Sequence, residues 1–210
     1  MQVSDPADIV ALENAFDSAE RDAHSLVTGL AEELGTWRSD ATSWSVAQCL
    51  DHLATGHRVY LRAMQPVSER ALAEGRMRRG PAEPGVIGRC VVWTFEPPVR
   101  PYLRLRAPRS IRPRSAPPLA EAVRDFFESH DELRAFLRRY AGIDLAGVHF
   151  PNPFIRGVRF SLATGLHILA AHERRHLWQA WRVRGAAERR GLVTGETHSS
   201  APNDSKRDGV

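Results

Sequence analysis

His172-Glu173-Arg174-Arg175-His176 sets two imidazoles four residues apart, and on a helix that spacing stacks them on a single face. At about 100° per residue, Leu162, Gly165, Leu169, Ala180 and Val183 fall within roughly 40° of His176. The pair therefore points along an apolar stripe, toward a core rather than into water. Ring nitrogens in a core must find partners there, and one transition metal satisfies both rings at once. Two helical histidines, each hydrogen-bonded locally, are the alternative. Gln179 lies about 20° from His172, two turns further on, where it can orient a ligand from behind. Glu173 sits beside the stripe, and Arg174 and Arg175 lie farther round, where solvent is expected. His167 belongs to the opposite face.

The same five residues also spell H-E-x-x-H, the zinc-peptidase pattern in which the glutamate is the general base. Gln179 stands where a metzincin carries glycine, and Arg182 where it carries a third histidine. Glu196 lies at a distance that a third carboxylate ligand could take. A peptidase is the secondary reading.

Four helices must position these groups. Asp5 as N-cap and Pro6 at the first helical position open the first. Its stripe of Ile9, Leu12, Phe16, Ala19, Ala23, Val27, Leu30 and Leu34 runs to about Gly35. His24, beside that stripe, reads as structural. Ser45-Val46-Ala47-Gln48 is a capping box, and the helix it starts runs to about Glu74. That helix buries Val46, Leu50, Leu53, His57, Leu61 and Met64, while His52 lies on a second strip with Cys49, Gly56, Val59 and Ala63. Those small residues suit close approach by another helix, but periodicity makes His57 the more buried histidine. The third helix reads from Pro117 to Tyr140 with His130 in its core stripe, a further candidate ligand. The fourth runs from about Arg159 to Arg184.

Between helices two and three, residues 75–115 carry too many prolines and glycines for a long helix. A segment of that length inside a domain is commonly functional or a crossover. Val86 to Phe95 is apolar enough to lie against the core. Arg100, Arg104, Arg106, Arg109, Arg112 and Arg114 read as a solvated crossing segment, with an anion-gripping loop as the alternative. The expected architecture is all-α, a four-helix bundle over residues 1–187 with a long crossover between helices 2 and 3. Residues 188–210, with few apolar side chains, read as a disordered tail.

Trp44-Ser45 and His52-Leu53 in the second helix, together with His172-x-x-x-His176-x-x-Gln179 in the last, resemble the DinB-like superfamily over roughly residues 7 to 185. The resemblance implies a four-helix bundle, a homodimer, and three histidines on a divalent metal. Carried over, the ligands are His52, His172 and His176, which overrides periodicity's preference for His57. Gln48, Gln179 and Glu173 are the candidates to lie behind them. Imidazole suits zinc, nickel, iron or copper; zinc or nickel is the expected metal, with iron or manganese next. Characterised members are similar to thiol-dependent transferases and isomerases that use low-molecular-weight thiols. A small-molecule substrate, such as a thiol, is therefore the expected partner. The competing reading is a metal-binding stress or interaction protein without turnover.

Composition bounds the rest. A hydrophobic content of 42%, 26% charged residues and a formal net charge of +4 describe an ordinary globular chain, and they indicate no nucleic-acid partner. Cys49 and Cys90 form no CxxC pair. No membrane span is expected, and the start lacks a basic and apolar leader, so the expected location is cytoplasmic.

Overall fold

The computed structural model describes residues 6–98 and 107–197. Four long helices carry the architecture: α1 (Ala7–Val27), α3 (Val46–Ala73), α5 (Leu119–Tyr140) and α6 (Leu162–Thr197). Two short ones, α2 (Glu32–Thr36) and α4 (Val86–Phe95), lie in the connections. α1 and α3 each lie against both α5 and α6, so α1 and α3 occupy opposite corners of the bundle. The expected all-α bundle is observed, with a two-stranded antiparallel hairpin, β1 (His149–Pro151) and β2 (Arg159–Ser161), before α6. No helix among the described residues is long and apolar enough to cross a membrane.

Local chemistry explains most boundaries. Ser45 Oγ accepts from Gln48 N while Gln48 Oε1 accepts from Ser45 N, so the capping box starts α3 as expected. α3 stops at Ala73, before Gly75 at φ +63°. The first helix stops earlier than its stripe suggests. His24 O accepts from both Thr28 N and Thr28 Oγ1, and Gly29 takes φ +68°. The apolar run to Leu34 is thus split between α1 and α2, because spacing cannot register a left-handed residue between two in-phase segments. Pro6 stands at the N-cap position; Asp5 lies outside the described residues.

Two further boundaries differ from expectation. Residues 159–161 form β2, and α6 begins only at Leu162, with Ser161 Oγ accepting from Thr164 N. At the other end α6 continues ten residues past position 187, to Thr197. Arg184 Nε donates to Glu188 Oε1 at 2.7 Å, and Ala187 is buried. A sequence poor in apolar residues stays helical here, because arginine, glutamate and alanine favour helix and pair at i,i+4. Residues 198–210 lie outside the described part of the chain.

The buried side chains form two apolar clusters along the bundle. One holds Phe16, Leu61, Met64, Leu133 and Leu169, the other Leu26, Leu50, Leu53, Phe126 and Leu177. On α3, α5 and α6 the boundary between them is polar: His57, His130 and Glu173 are each fully buried.

The crossover is held down by α4, which lies on α6. A Cβ built on Gly88 would sit 2.5 Å from Thr164 Oγ1. That hydroxyl shares a 2.8 Å hydrogen bond with Ser161 Oγ, so it has a partner to lose by turning away. Gly88→Ala is therefore expected to lower stability by about 1–3 kcal/mol through overpacking, read as a lower urea midpoint. An unchanged midpoint would mean that the two backbones are not in this close approach.

Candidate metal centre

α3 and α6 run side by side, and His52, His172 and His176 meet between them. One ring nitrogen from each lies within 4.8 Å of the other two, and all three residues are buried. Ring centroids are 4.8 Å apart for His52–His172, 4.6 Å for His52–His176 and 4.6 Å for His172–His176. Gly56 of α3 faces the His172 ring: a Cβ there would sit 3.5 Å from Cε1, in ordinary van der Waals contact. The small-residue strip containing Gly56 was the signal in the sequence that another helix approaches on the His52 side.

Hydrogen bonds fix two of the three tautomers. His52 Nδ1 lies 2.5 Å from the carbonyl of Ile111, which can only accept, so Nδ1 carries the proton and Nε2 is bare. Gln179 Oε1 likewise accepts from His176 Nδ1 at 3.1 Å, leaving His176 Nε2 bare. His52 Nε2 faces His172 Nε2 at 3.0 Å. Burial lowers the pKa of all three below the ordinary imidazole value; for His172 and His176 the closeness of the other rings, which could not all carry charge together, and of the Arg175 guanidinium adds to it. Neutral rings with lone pairs turned inward are the donor set that a divalent transition metal takes. The residues present fit the group.

Around the cluster, Trp44 stacks on His176 at 5.5 Å between centroids and tilts over His52 at 4.8 Å. Phe95, on α4, meets His172 edge-on at 5.8 Å. The cluster opens on a cleft of about 1200 Å³. Tyr60, Phe95, Phe154, Phe160 and Ile168 form its apolar wall, and Arg38, Arg112, Arg175 and Arg182 are its cationic members.

Of the residues expected behind the ligands, the structure places only Gln179 in contact with one. Gln48 caps α3 and donates through Nε2 to the carbonyls of Arg114 and Ser115, tying the crossover to the helix beside the cleft. Glu173 turns the other way. Its Oε1 lies 3.3 Å from His57 Nε2 and 3.4 Å from His130 Nε2, in the polar layer of the core. One residue along a helix is about 100° of rotation, so the ligand face and the glutamate cannot share a direction.

That second cluster has its own proton logic. Ser129 Oγ donates to Phe126 O, so it accepts from His57 Nδ1 at 3.0 Å, and His57 Nε2 is bare toward Glu173. A carboxylate facing a bare ring nitrogen requires a proton between them. Burial pushes Glu173 up to about 8 and His57 down to about 3, so the proton belongs to Glu173. A neutral acid inside the core is no general base for a peptide. Glu196 is no third ligand either: it lies twenty residues beyond His176 on the same helix, roughly 30 Å along its axis. The peptidase reading fails on both counts.

Sequence reasoning also missed three contributors. Arg175, expected in solvent, is 8% exposed and lines the cleft; the crossover that encloses it is not visible in helical spacing. The Ile111 carbonyl and Phe95 come from that same crossover. Arg114, by contrast, is bound to Asp51, Glu121 and Asp125 and braces the segment, whereas Arg100, Arg104 and Arg106 lie outside the described residues.

Comparison with known proteins gives one finding: a family model described as the DinB superfamily matches residues 15–180. No curated protein and no solved structure matches the chain.

The buried titratable groups predict a stability profile for the metal-free chain. His52, His57, His130, His172 and His176 all have lowered pKa values, so unfolding takes up protons below about pH 6.5, outweighing the one carboxyl that releases its own. The melting temperature should rise with pH up to about 6.5. Above that, Glu173 stays protonated when folded and ionised when unfolded, so stability should fall toward pH 8. Glu173→Gln should remove the falling limb only. A flat profile across both ranges would contradict buried neutral imidazoles.

Proposed function

The chain belongs to the DinB superfamily, and on that premise we propose that it is a divalent-metal-dependent small-molecule enzyme of the thiol-transferase or isomerase type. The observation that carries this reading is the convergence of three buried, neutral imidazoles on the wall of a cleft large enough for a substrate. A closed structural site has four protein ligands, whereas three histidines leave a position for a reactant. Zinc or nickel is the proposed metal, on the grounds of imidazole donors. When bound, it supplies the positive charge that lets a thiol or water ionise near neutral pH.

The chain's own residues prepare that step. Ile111 O and Gln179 Oε1 hold the Nδ1 protons of His52 and His176, so that both rings present Nε2 inward. Trp44 and Phe95 cover the rings and limit water at the cluster. A low-molecular-weight thiol entering the cleft loses its proton to solvent, and its sulfur forms a bond to an electrophilic carbon of the second reactant held against the apolar wall. The bond from that carbon to its leaving group breaks, and the leaving group departs with the electron pair and takes a proton from solvent. The large cleft beside the cluster favours turnover over a purely metal-storing or interaction role.

Protein purified without a polyhistidine tag should carry close to one metal per chain, and His172→Ala should carry almost none. Gln179→Ala should keep the site but weaken it by about 10–100-fold, measured by chelator competition. Metal-loaded protein should form conjugates from a panel of thiols and electrophiles, and His172→Ala should not. Equal metal content in wild type and His172→Ala removes the site, while full metal with no conjugate across the panel removes the transferase.

A further inference from the structure

Among the described residues, Arg175 is the most deeply placed cation of the cleft, only 8% exposed. Its one hydrogen bond among the described residues runs from Nη1 to the carbonyl of Thr94 at 3.1 Å. No carboxylate pairs with it there, although its neighbour Arg174 is paired with Glu96. Removing a guanidinium from water without an opposite charge is unfavourable, and a protein that does so leaves donors ready for an anion.

The surroundings agree. Arg38, Arg112 and Arg182 line the same cleft, and none of them has a carboxylate partner among the described residues. Arg38 is held by the carbonyls of Ser43 and Ala41, and Arg182 lies over the Trp178 ring at 4.8 Å. Among the described residues, no aspartate or glutamate lines the cleft. Its other wall is apolar, built from Phe95, Phe154, Phe160 and Ile168. His172, Arg175 and His176 all line this cleft, so the unpaired cation and the histidine cluster open on the same space.

We propose that the cleft takes an amphipathic organic anion, whose carboxylate, phosphate or sulfonate pairs with Arg175 while its apolar body lies on the aromatic wall. This names the substrate class for the site read above as a small-molecule enzyme, and it rests on that reading for the cleft being a substrate site. The arginine is a binding residue: it holds the anionic end and thereby sets which part of the molecule meets the histidine cluster.

The test uses the full chain in metal-loaded and metal-free forms, with hydrocinnamate and phenyl phosphate as anionic probes and hydrocinnamide as the uncharged match. Binding is followed by calorimetry and by tryptophan fluorescence. Both anions should bind at least about tenfold tighter than the amide, and the preference should persist without metal and weaken with added salt. Arg175→Gln should bind the amide as wild type does and lose the preference, Arg175→Lys should keep part of it, and Arg58→Gln, outside the cleft, should keep all of it. If Arg175→Gln does not fold, Arg175→Lys and the salt series decide. Equal binding of anions and amide, a preference retained in Arg175→Gln, or one that vanishes on removing the metal would each overturn the proposal. A metal-free chain that still prefers anions but never takes up metal would sink the metal-enzyme reading alone. Full metal with no anion preference would sink only this one.

Discussion

Imidazole must be neutral to be buried, and the organisation of this bundle follows from that constraint. Among the described residues, five histidines lie inside it. Each has given up water and must offer its N–H to something and direct its bare nitrogen at something else. His57 finds Ser129 and the acid of Glu173. His52 and His176 find the Ile111 carbonyl and Gln179, which leaves two bare nitrogens and the His172 ring facing one another. The first arrangement lies wholly inside the core, with Glu173 3.3 Å from His57 and 3.4 Å from His130. The second is complete only with a cation or a proton, and it lies beside a cleft.

One short segment of α6 serves both arrangements. His172 and His176 look toward α3 and the cleft, whereas Glu173, turned by a single residue, looks toward the polar layer shared with α3 and α5. The string H-E-x-x-H describes a peptidase only if the glutamate reaches the water beside the metal. Here the partners of that carboxyl, and its raised pKa, make it part of the core. A fully buried polar layer between two apolar clusters also restricts how the helices can slide past one another, since any shift separates Glu173 from its two imidazoles.

The crossover turns a helical bundle into a site. Its first part places α4, with Phe95, against His172, and its last part supplies the Ile111 carbonyl behind His52. Gln48 and Asp51 on α3 anchor that last part through Ser115 and Arg114. The same enclosure strips water from Arg175. Ligand orientation, cleft shape and the position of the buried cation therefore depend on one connection that has little regular structure of its own.

Spacing and end signals determined the helical bundle, the Ser45–Gln48 cap, the shared face of His172 and His176 and the place of Gln179 behind it, because each is a relation between residues a few positions apart. Sequence also told correctly that His57 and His130 are buried. It did not tell which helix His57 meets: periodicity reports that a side chain leaves water, not what it finds there. His57 faces α5 and the glutamate, while His52, on the strip of small residues, faces α6; only the family resemblance separated them beforehand. The left-handed break at Gly29, the inward turn of Glu173 and the burial of Arg175 were decided by tertiary structure. Each depends on a surface that arrives from a distant part of the chain, and helical phase carries no record of it.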